Sequence, residues 1–412
     1  MGDRGPFRGE LLSVEVLDAL AKALATRLTP ARNSRHGARR FFSRLDDNDR
    51  SLRRAYRTLV GDVRSAEALM PAAEWLLDNF HVVEAELRAV RVSLPRSYYL
   101  ELPKITSRDL VETGRVYAMA VELIRHSAGR LDLERLTRFV SSFQTLVPLT
   151  IGELWAWPTM LKVALIENLR RLAEEILTSR AGRIEADRYL AHFEATAAEG
   201  PPPDLPDTLP TAYVVRLLER VREFGPRVSR LRARLDERLA ADSRTPEDVI
   251  RAEHQEQAAC QASMGNAITS LRFCSSLDWS RFFERVSLVE QVLRRDPAGV
   301  YANMDFASRD RYRKAVEELA EPAGDAQMRV ALRSIERARQ VADQHPGGHR
   351  AAHVGYHLIG EGRRDLEVDV AHRPGFRQRI HRFILGHATL FYLGSIGAIF
   401  AAGWWTGRKQ LP

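Results

Sequence analysis

Four histidines, His345, His349, His353 and His357, recur every four residues. On one helix that spacing would line imidazoles along a single face, as metal sites require. Pro346, Gly347 and Gly348 break any helix between the first two, so only His353 and His357 are expected to share one. A zinc pair normally recruits a third or fourth ligand, and none is named here. A second pattern is Asp46-Asp47-Asn48-Asp49, which contains an Asp-x-Asp triplet. In a glycosyltransferase such a triplet would hold a metal and a nucleotide diphosphate. Here no strand precedes it and a helical pattern follows (Leu52, Ala55, Tyr56, Leu59, Val63), so helix capping is the expected role. Trp155 and Trp157 could make a sugar platform, but an apolar helix interior is the expected home of both. Neither a glycine-rich phosphate loop nor a nucleophile elbow occurs. No catalytic, cofactor-binding or metal-ligating residue is assigned, and no cofactor is expected within this chain.

The elements that would position these groups read as helices throughout. From Leu146 to Leu177 the chain is almost without a polar face in its first half, and a helix apolar all round must be buried by others. Thr150 and Glu153 have capping-box spacing at its start. Pro158 is expected to kink it, and Glu167 to pair with Arg171 one turn on. Upstream, Leu17, Leu20, Leu24 and Leu28 share a face of a helix over 11–28. Ala31–Arg40 reads as a basic loop. Pro71 opens one long helix with Trp75, Leu76, Phe80, Val83, Leu87 and Val90 inward, stopped by Pro95. An irregular aromatic connector follows to Pro103. The next helix spans Gly114 to His126, with Val116, Tyr117, Ala120, Leu123 and Ile124 inward, and Asp132 caps its successor.

Composition narrows the class. The 412 residues carry 62 Lys plus Arg against 54 Asp plus Glu, a net charge of +8. Nearly all the positive charge is Arg, interleaved with acids along the helices, which predicts salt-bridged solvated faces. Without clustered basic charge and base-stacking aromatics, nucleic acid is not an expected partner. Cys260 and Cys274 stand fourteen positions apart on one helical pattern, about 21 Å, too far for a disulfide. With no apolar leader at the N-terminus, a reducing cytosolic setting is expected for most of the chain.

A Pro-rich stretch, AEGPPPDLPDTLP, suggests a boundary. The expected organisation is a helical domain over 1–197, a linker over 198–212 and a second helical domain over 213–370. In the second, helices are expected over 213–240, interrupted at Gly225-Pro226, and from Thr245-Pro246 to about Phe273. Others are capped by Asp278 (to Leu293), Ser308 (to Leu319) and Asp325 (to Ala342). No segment alternates long enough to anchor a sheet.

Several runs resemble the N-terminal region of the cyclic β-1,2-glucan synthases. They are AAEWLLDNFHVVEAELR (72–88), LPRSYYLELPK (94–104), GRVYAMAVELIRHSAGRLDLERLTRFV (114–140) and PLTIGELWAWPTMLKVALIENLRRLAE (148–174). Later, DPAGVYANMDFASRDRYRKAVEELA (296–320) and HVGYHLIGEGRRDLE (353–367) resemble the same region, in the same order. The resemblance implies a large bacterial inner-membrane parent with a glycosyltransferase using UDP-glucose, several membrane helices and a glycoside-phosphorylase-like domain. The acceptor motif of such a transferase, Gln/Arg-x-x-Arg-Trp, is absent here, so no catalytic residue is carried over.

From Phe383 to Trp405 the chain is free of charge, about 34 Å at the helical rise and enough for a hydrocarbon core of about 30 Å. Arg373, Arg377, Arg379 and Arg382 precede it; Arg408 and Lys409 follow. The positive-inside rule then places the helical part in the cytoplasm, beneath the bacterial inner membrane. Gly394, Ala398 and Ala402 make a ridge suited to a neighbouring membrane helix. The expected class is all-α, multi-helix cytosolic bundle domains followed by one C-terminal transmembrane helix. Two functions fit. One is a non-catalytic helical region and first membrane helix of a glucan synthase-like protein, its partners the membrane, the glycosyltransferase part of the same polypeptide and nascent glucan. The other is a self-contained, membrane-anchored scaffold for a partner protein.

Overall fold

The structure, a computed structural model, describes residues 9–31, 37–65, 69–105, 113–196, 204–206, 208–223, 229–320, 324–345 and 349–371. The segment expected to cross the membrane, 383–405, and its flanking arginines lie outside the described residues. Among those that are described, no helix is long and apolar enough to cross a membrane.

The described chain is helical, as its periodicities predict. In order the elements are α1 (Val14–Arg27), β1 (Pro30–Ala31), α2 (Gly37–Arg64), α3 (Pro71–Asp78), α4 (Phe80–Ser93), α5 (Arg96–Glu101), β2 (Lys104–Ile105) and α6 (Arg115–Arg125). Then come α7 (Leu133–Gln144), α8 (Ile151–Thr196), α9 (Thr211–Glu223), α10 (Ser229–Ala241), α11 (Pro246–Ser276), α12 (Trp279–Val286) and α13 (Leu288–Leu293). The described chain ends in α14 (Phe306–Leu319), α15 (Gly324–Gln344), α16 (Val354–Leu358) and α17 (Arg363–Asp369). β1 and β2 are two residues each and pair antiparallel, Pro30 opposite Ile105, too short to anchor a sheet.

Two compact units result. The first takes the chain to Gln291 together with 322–328; the second takes Val292–Glu321 and the chain from Arg329. The first is built on α8, which packs against α2, α4, α6, α9 and α11. At 46 residues α8 is roughly 69 Å long. It runs through Pro158 as one helix, so the proline does not end it. Its apolar first half is buried as its composition demands: Trp157, Met160, Leu161, Leu165 and Ile166 are fully enclosed. The helices on both sides of the Pro-rich stretch share one apolar cluster, with Leu190 and Phe193 of α8 beside Tyr213, Leu217 and Val221 of α9 and Leu231 of α10.

Caps follow local chemistry. Ser13, Asp132 and Asp278 accept from the first-turn N–H groups of α1, α7 and α12, and Thr245 with Asp248 forms a full capping box on α11. The turn after α6 is set by Gly129 at φ +76°. A Cβ there would come within 3.4 Å of the Ala267 backbone on α11, so the glycine also permits close approach. Buried Ser270 of α11 holds that turn, donating to Gly129 O (2.6 Å) and accepting from Leu131 N–H (2.9 Å).

Several local expectations are corrected. The long helix from Pro71 breaks at Asn79 into α3 and α4, and Trp75 is 41% exposed, its ring lying over Gly265 of α11. The aromatic connector after Pro95 contains α5. The helix capped by Asp278 ends at Val286; Ser287 interrupts it and caps α13 through Glu290 N–H. Asp305, not Ser308, caps α14. α15 starts at Gly324, so Asp325 lies inside it.

Of the paired tryptophans only Trp157 is fully enclosed; Trp155 is half-buried and stacks on Phe283, ring centroids 4.7 Å apart. Trp157→Ala should therefore cost about 3–5 kcal/mol. Trp155→Ala should cost less than that, and Thr150→Ala about 1 kcal/mol through the lost cap. Urea denaturation followed by circular dichroism measures all three; a Trp155→Ala cost above that of Trp157→Ala would contradict this packing.

Candidate functional site

In the second unit a carboxylate, an imidazole and a phenol stand in a row. Asp296 sits just after α13, Tyr312 on α14, and His353 immediately before α16. The Asp296 side chain is fully buried and its Oδ2 lies 2.7 Å from His353 Nδ1. It also accepts the backbone N–H of Val354 (2.9 Å) and of Tyr301 (3.2 Å). Burial pushes this carboxyl up, but the hydrogen bonds from His353, Val354 and Tyr301 outweigh it and hold it below the usual carboxylate range. An ionised Asp296 can only accept, so His353 Nδ1 carries the shared proton, and in the neutral imidazole Nε2 is left to accept. Tyr312 Oη lies 3.3 Å from that Nε2. Burial, with the Asp296 charge adding to it, raises the Tyr312 hydroxyl above its ordinary value, so it remains a donor.

A row of this kind can polarise a phenol toward proton transfer. Its surroundings favour a clasp. The Tyr312 ring and hydroxyl and the His353 imidazole close on Gly355, where an added Cβ would stand 2.5 Å from Tyr312 Cε1 and 2.8 Å from His353 Nε2. The row thereby ties the turn at 296–301, α14 and α16 together. Tyr301, fully buried, packs edge-on to Tyr312 at 5.7 Å.

The first unit carries its own buried polar groups along α8. Arg115 of α6 meets Glu153 of α8 through two hydrogen bonds, 2.8 and 2.6 Å, with both side chains essentially inaccessible. Glu153 also accepts Thr150 N–H at 2.9 Å, and Glu153 N–H donates to Thr150 Oγ1 at 3.0 Å, the expected capping box. Glu167 turns away from the expected pairing with Arg171, to Arg44 of α2 (2.5 Å) and the Tyr117 hydroxyl (2.5 Å). Arg171 instead reaches Glu175 and Asn168. Burial and the neighbouring Glu167 charge hold the Tyr117 hydroxyl well above its ordinary value. Lys104 is buried and donates to the carbonyls of Tyr99 and Leu102; burial pulls it down to about 8 against the opposing charge of Glu153.

The groups singled out in the sequence resolve as follows. The Asp46–Asp49 run lies within α2, which begins earlier at Gly37, so the capping role is corrected. Arg91 of α4 bonds Asp46 (3.1 Å) and Asp49 (3.0 Å), and Arg53 bonds Asp49 (2.7 Å), which ties α2 to α4. His353 and His357 do not share a helix body: His353 precedes α16, and His357 within it contacts Ala351 O at 2.8 Å through Nε2. His349 accepts Ala351 N–H through Nδ1. Among the described residues no three His, Cys, Asp or Glu side chains are placed to hold a metal. Cys260 and Cys274 are free and buried on α11. Asp296 and Tyr312 escaped sequence reading; their signal was that 296–320 and 353–367, two separate runs carrying the resemblance, fold onto each other.

No protein-family profile matches the chain. Over 368 residues it is 32% identical to the cyclic beta-(1,2)-glucan synthase NdvB of Rhizobium meliloti (strain 1021). The chain resembles one part of a cyclic β-1,2-glucan synthase. The alignment takes in 84% of this chain and 12% of the synthase, so the chain spans a small share of its relative's length.

Loss of the clasp should show in stability and its pH dependence. The folded pKa of Asp296 is depressed, so its contribution is present above the unfolded value near 3.9 and is lost as pH falls through the lower folded one. Asp296→Asn should lower stability by about 1.5–3 kcal/mol at neutral pH and flatten that acid dependence. Gly355→Ala should cost about 1–3 kcal/mol by overpacking. Urea titrations between pH 2 and 7 test both; an unaltered acid limb in Asp296→Asn would remove the carboxylate from this role.

Proposed function

We propose that this chain is the N-terminal, non-catalytic helical region and first membrane helix of a cyclic β-1,2-glucan synthase-like protein, and that it supports the glycosyltransferase part of the same polypeptide. The observation that carries the reading is the similarity to the Rhizobium synthase, which covers most of this chain and little of that protein. The missing phosphate-binding and acceptor motifs support the non-catalytic assignment. On this reading the helical part over residues 1–370, with the Pro-rich stretch 198–212 inside it, lies in the cytoplasm under the bacterial inner membrane. Residues 383–405 cross it, with the arginine excess on the cytoplasmic side. Nascent glucan is the non-protein partner.

Two measurements test this. Purified chain given labelled UDP-glucose should incorporate no label into glucan or protein above a boiled control; incorporation would overturn the non-catalytic assignment. A reporter active only in the periplasm, fused after Val370, should be silent in a Gram-negative host; strong activity would reverse the topology.

A further inference from the structure

Three clefts lie along the second half of α8 in the first unit. The one at Ile184, Asp187 and Arg216 has a volume of ≈ 550 Å3. The next, ≈ 350 Å3, shares Met70 and Ile176 with it and adds Thr178, Ser179 and Glu253. The third, ≈ 1020 Å3, shares Arg171, Glu175, Glu256 and Cys260 with the second. Shared lining residues set them side by side as a broken trough along α8 from Ala191 back to Arg171, about 30 Å at the helical rise.

The lining chemistry is specific in kind. Arg216 Nε donates to Asp187 at 3.0 and 3.2 Å. Glu253, 4% exposed, accepts from Gln257 (2.7 Å) and Ser179 (3.3 Å) and stands 3.7 Å from Arg183. Arginines and carboxylates are in near balance, so the trough offers little net attraction for a phosphate or a polyanion. Guanidinium edges, carboxylate oxygens, hydroxyls and an amide instead give donors and acceptors in close alternation. Leu69, Met70 and Ile184, each part-exposed, supply apolar patches between them. A neutral chain whose hydroxyls both donate and accept, and whose ring faces are C–H, matches that array.

We infer that the trough along α8, where three clefts with mixed Arg, carboxylate and hydroxyl walls adjoin, binds a linear stretch of β-1,2-glucan. The polymer's identity rests on the function proposed above; the elongated, neutral, polyhydroxylated ligand rests on the trough.

The test is calorimetric titration of the full chain with linear β-1,2-linked gluco-oligosaccharides of increasing length, against β-1,4-linked chains of equal length. Affinity should rise with length over several units and favour the β-1,2 linkage. Thr178 is exposed on α8 in the wall of the second cleft, its hydroxyl bonded only locally to Glu174 O (2.8 Å). Thr178→Trp should fold, fill the trough and weaken binding at least tenfold. Val92→Trp, at an 82% exposed position on α4, should bind as wild type does. Absence of saturable binding at every length, equal affinity for both linkages, or undiminished binding by Thr178→Trp would overturn the inference. Failure here with no label transferred from UDP-glucose removes the trough alone; label transfer removes the proposed function whatever the titration shows.

Discussion

The carboxylate of Glu153 is the constraint on which the first unit depends. Wholly buried, it closes the capping box of α8 with Thr150 and accepts two hydrogen bonds from Arg115 of α6. Arg115 also reaches Pro148 O at 3.3 Å, so the connection into α8 is held at the same point. A buried ion pair returns little net stability once desolvation is counted, yet either partner left alone is costly. Its effect is to fix where α8 starts against α6. The ties further along then fall in place: Lys162 to Glu86 of α4, Glu167 to Arg44 of α2, Arg180 to Asp62 at the end of α2, Arg183 to Glu253 of α11, and Asp187 to Arg216 of α9.

That spine was legible in the sequence because its signals are local. An apolar run, a Thr-x-x-Glu box and the absence of period-two alternation identify a buried helix from its own residues. The same holds for the caps at Thr245 and Asp132 and for the separation of the two cysteines. The misreadings share a cause. Trp75 looked inward on a single continuous helix, but the break at Asn79 turns it toward Gly265. The Asp46–Asp49 run looked like a cap because the partners that hold it inside α2, Arg53 and Arg91, include one from another helix. Glu167 was paired with its one-turn neighbour for the same reason, whereas the structure offers it Arg44 and Tyr117 from two other elements. Side-chain partners distant in sequence decide these cases, and periodicity carries no information about them.

The clasp of the second unit was equally hidden. His353 was noticed for its spacing to other histidines, while its partners, Asp296 and Tyr312, come from a segment 41 to 57 residues earlier. Only the resemblance to glucan synthases placed both segments on the same footing before the fold brought them together. Clasp and spine both use buried charge to fix geometry. In both, the charge is committed to holding helices in register.

The central claim is that the Arg115–Glu153 pair sets the register of α8 and hence of all that is hung on it. A double-mutant cycle of Arg115→Met and Glu153→Leu, read by urea denaturation, tests it most directly. Each single change should cost about 3–5 kcal/mol, because a buried charge is left unpaired. The double change should cost much less than the two together. A Glu153→Leu chain as stable as wild type, or costs that simply add, would show that the pair is incidental and that α8 is placed by apolar packing alone.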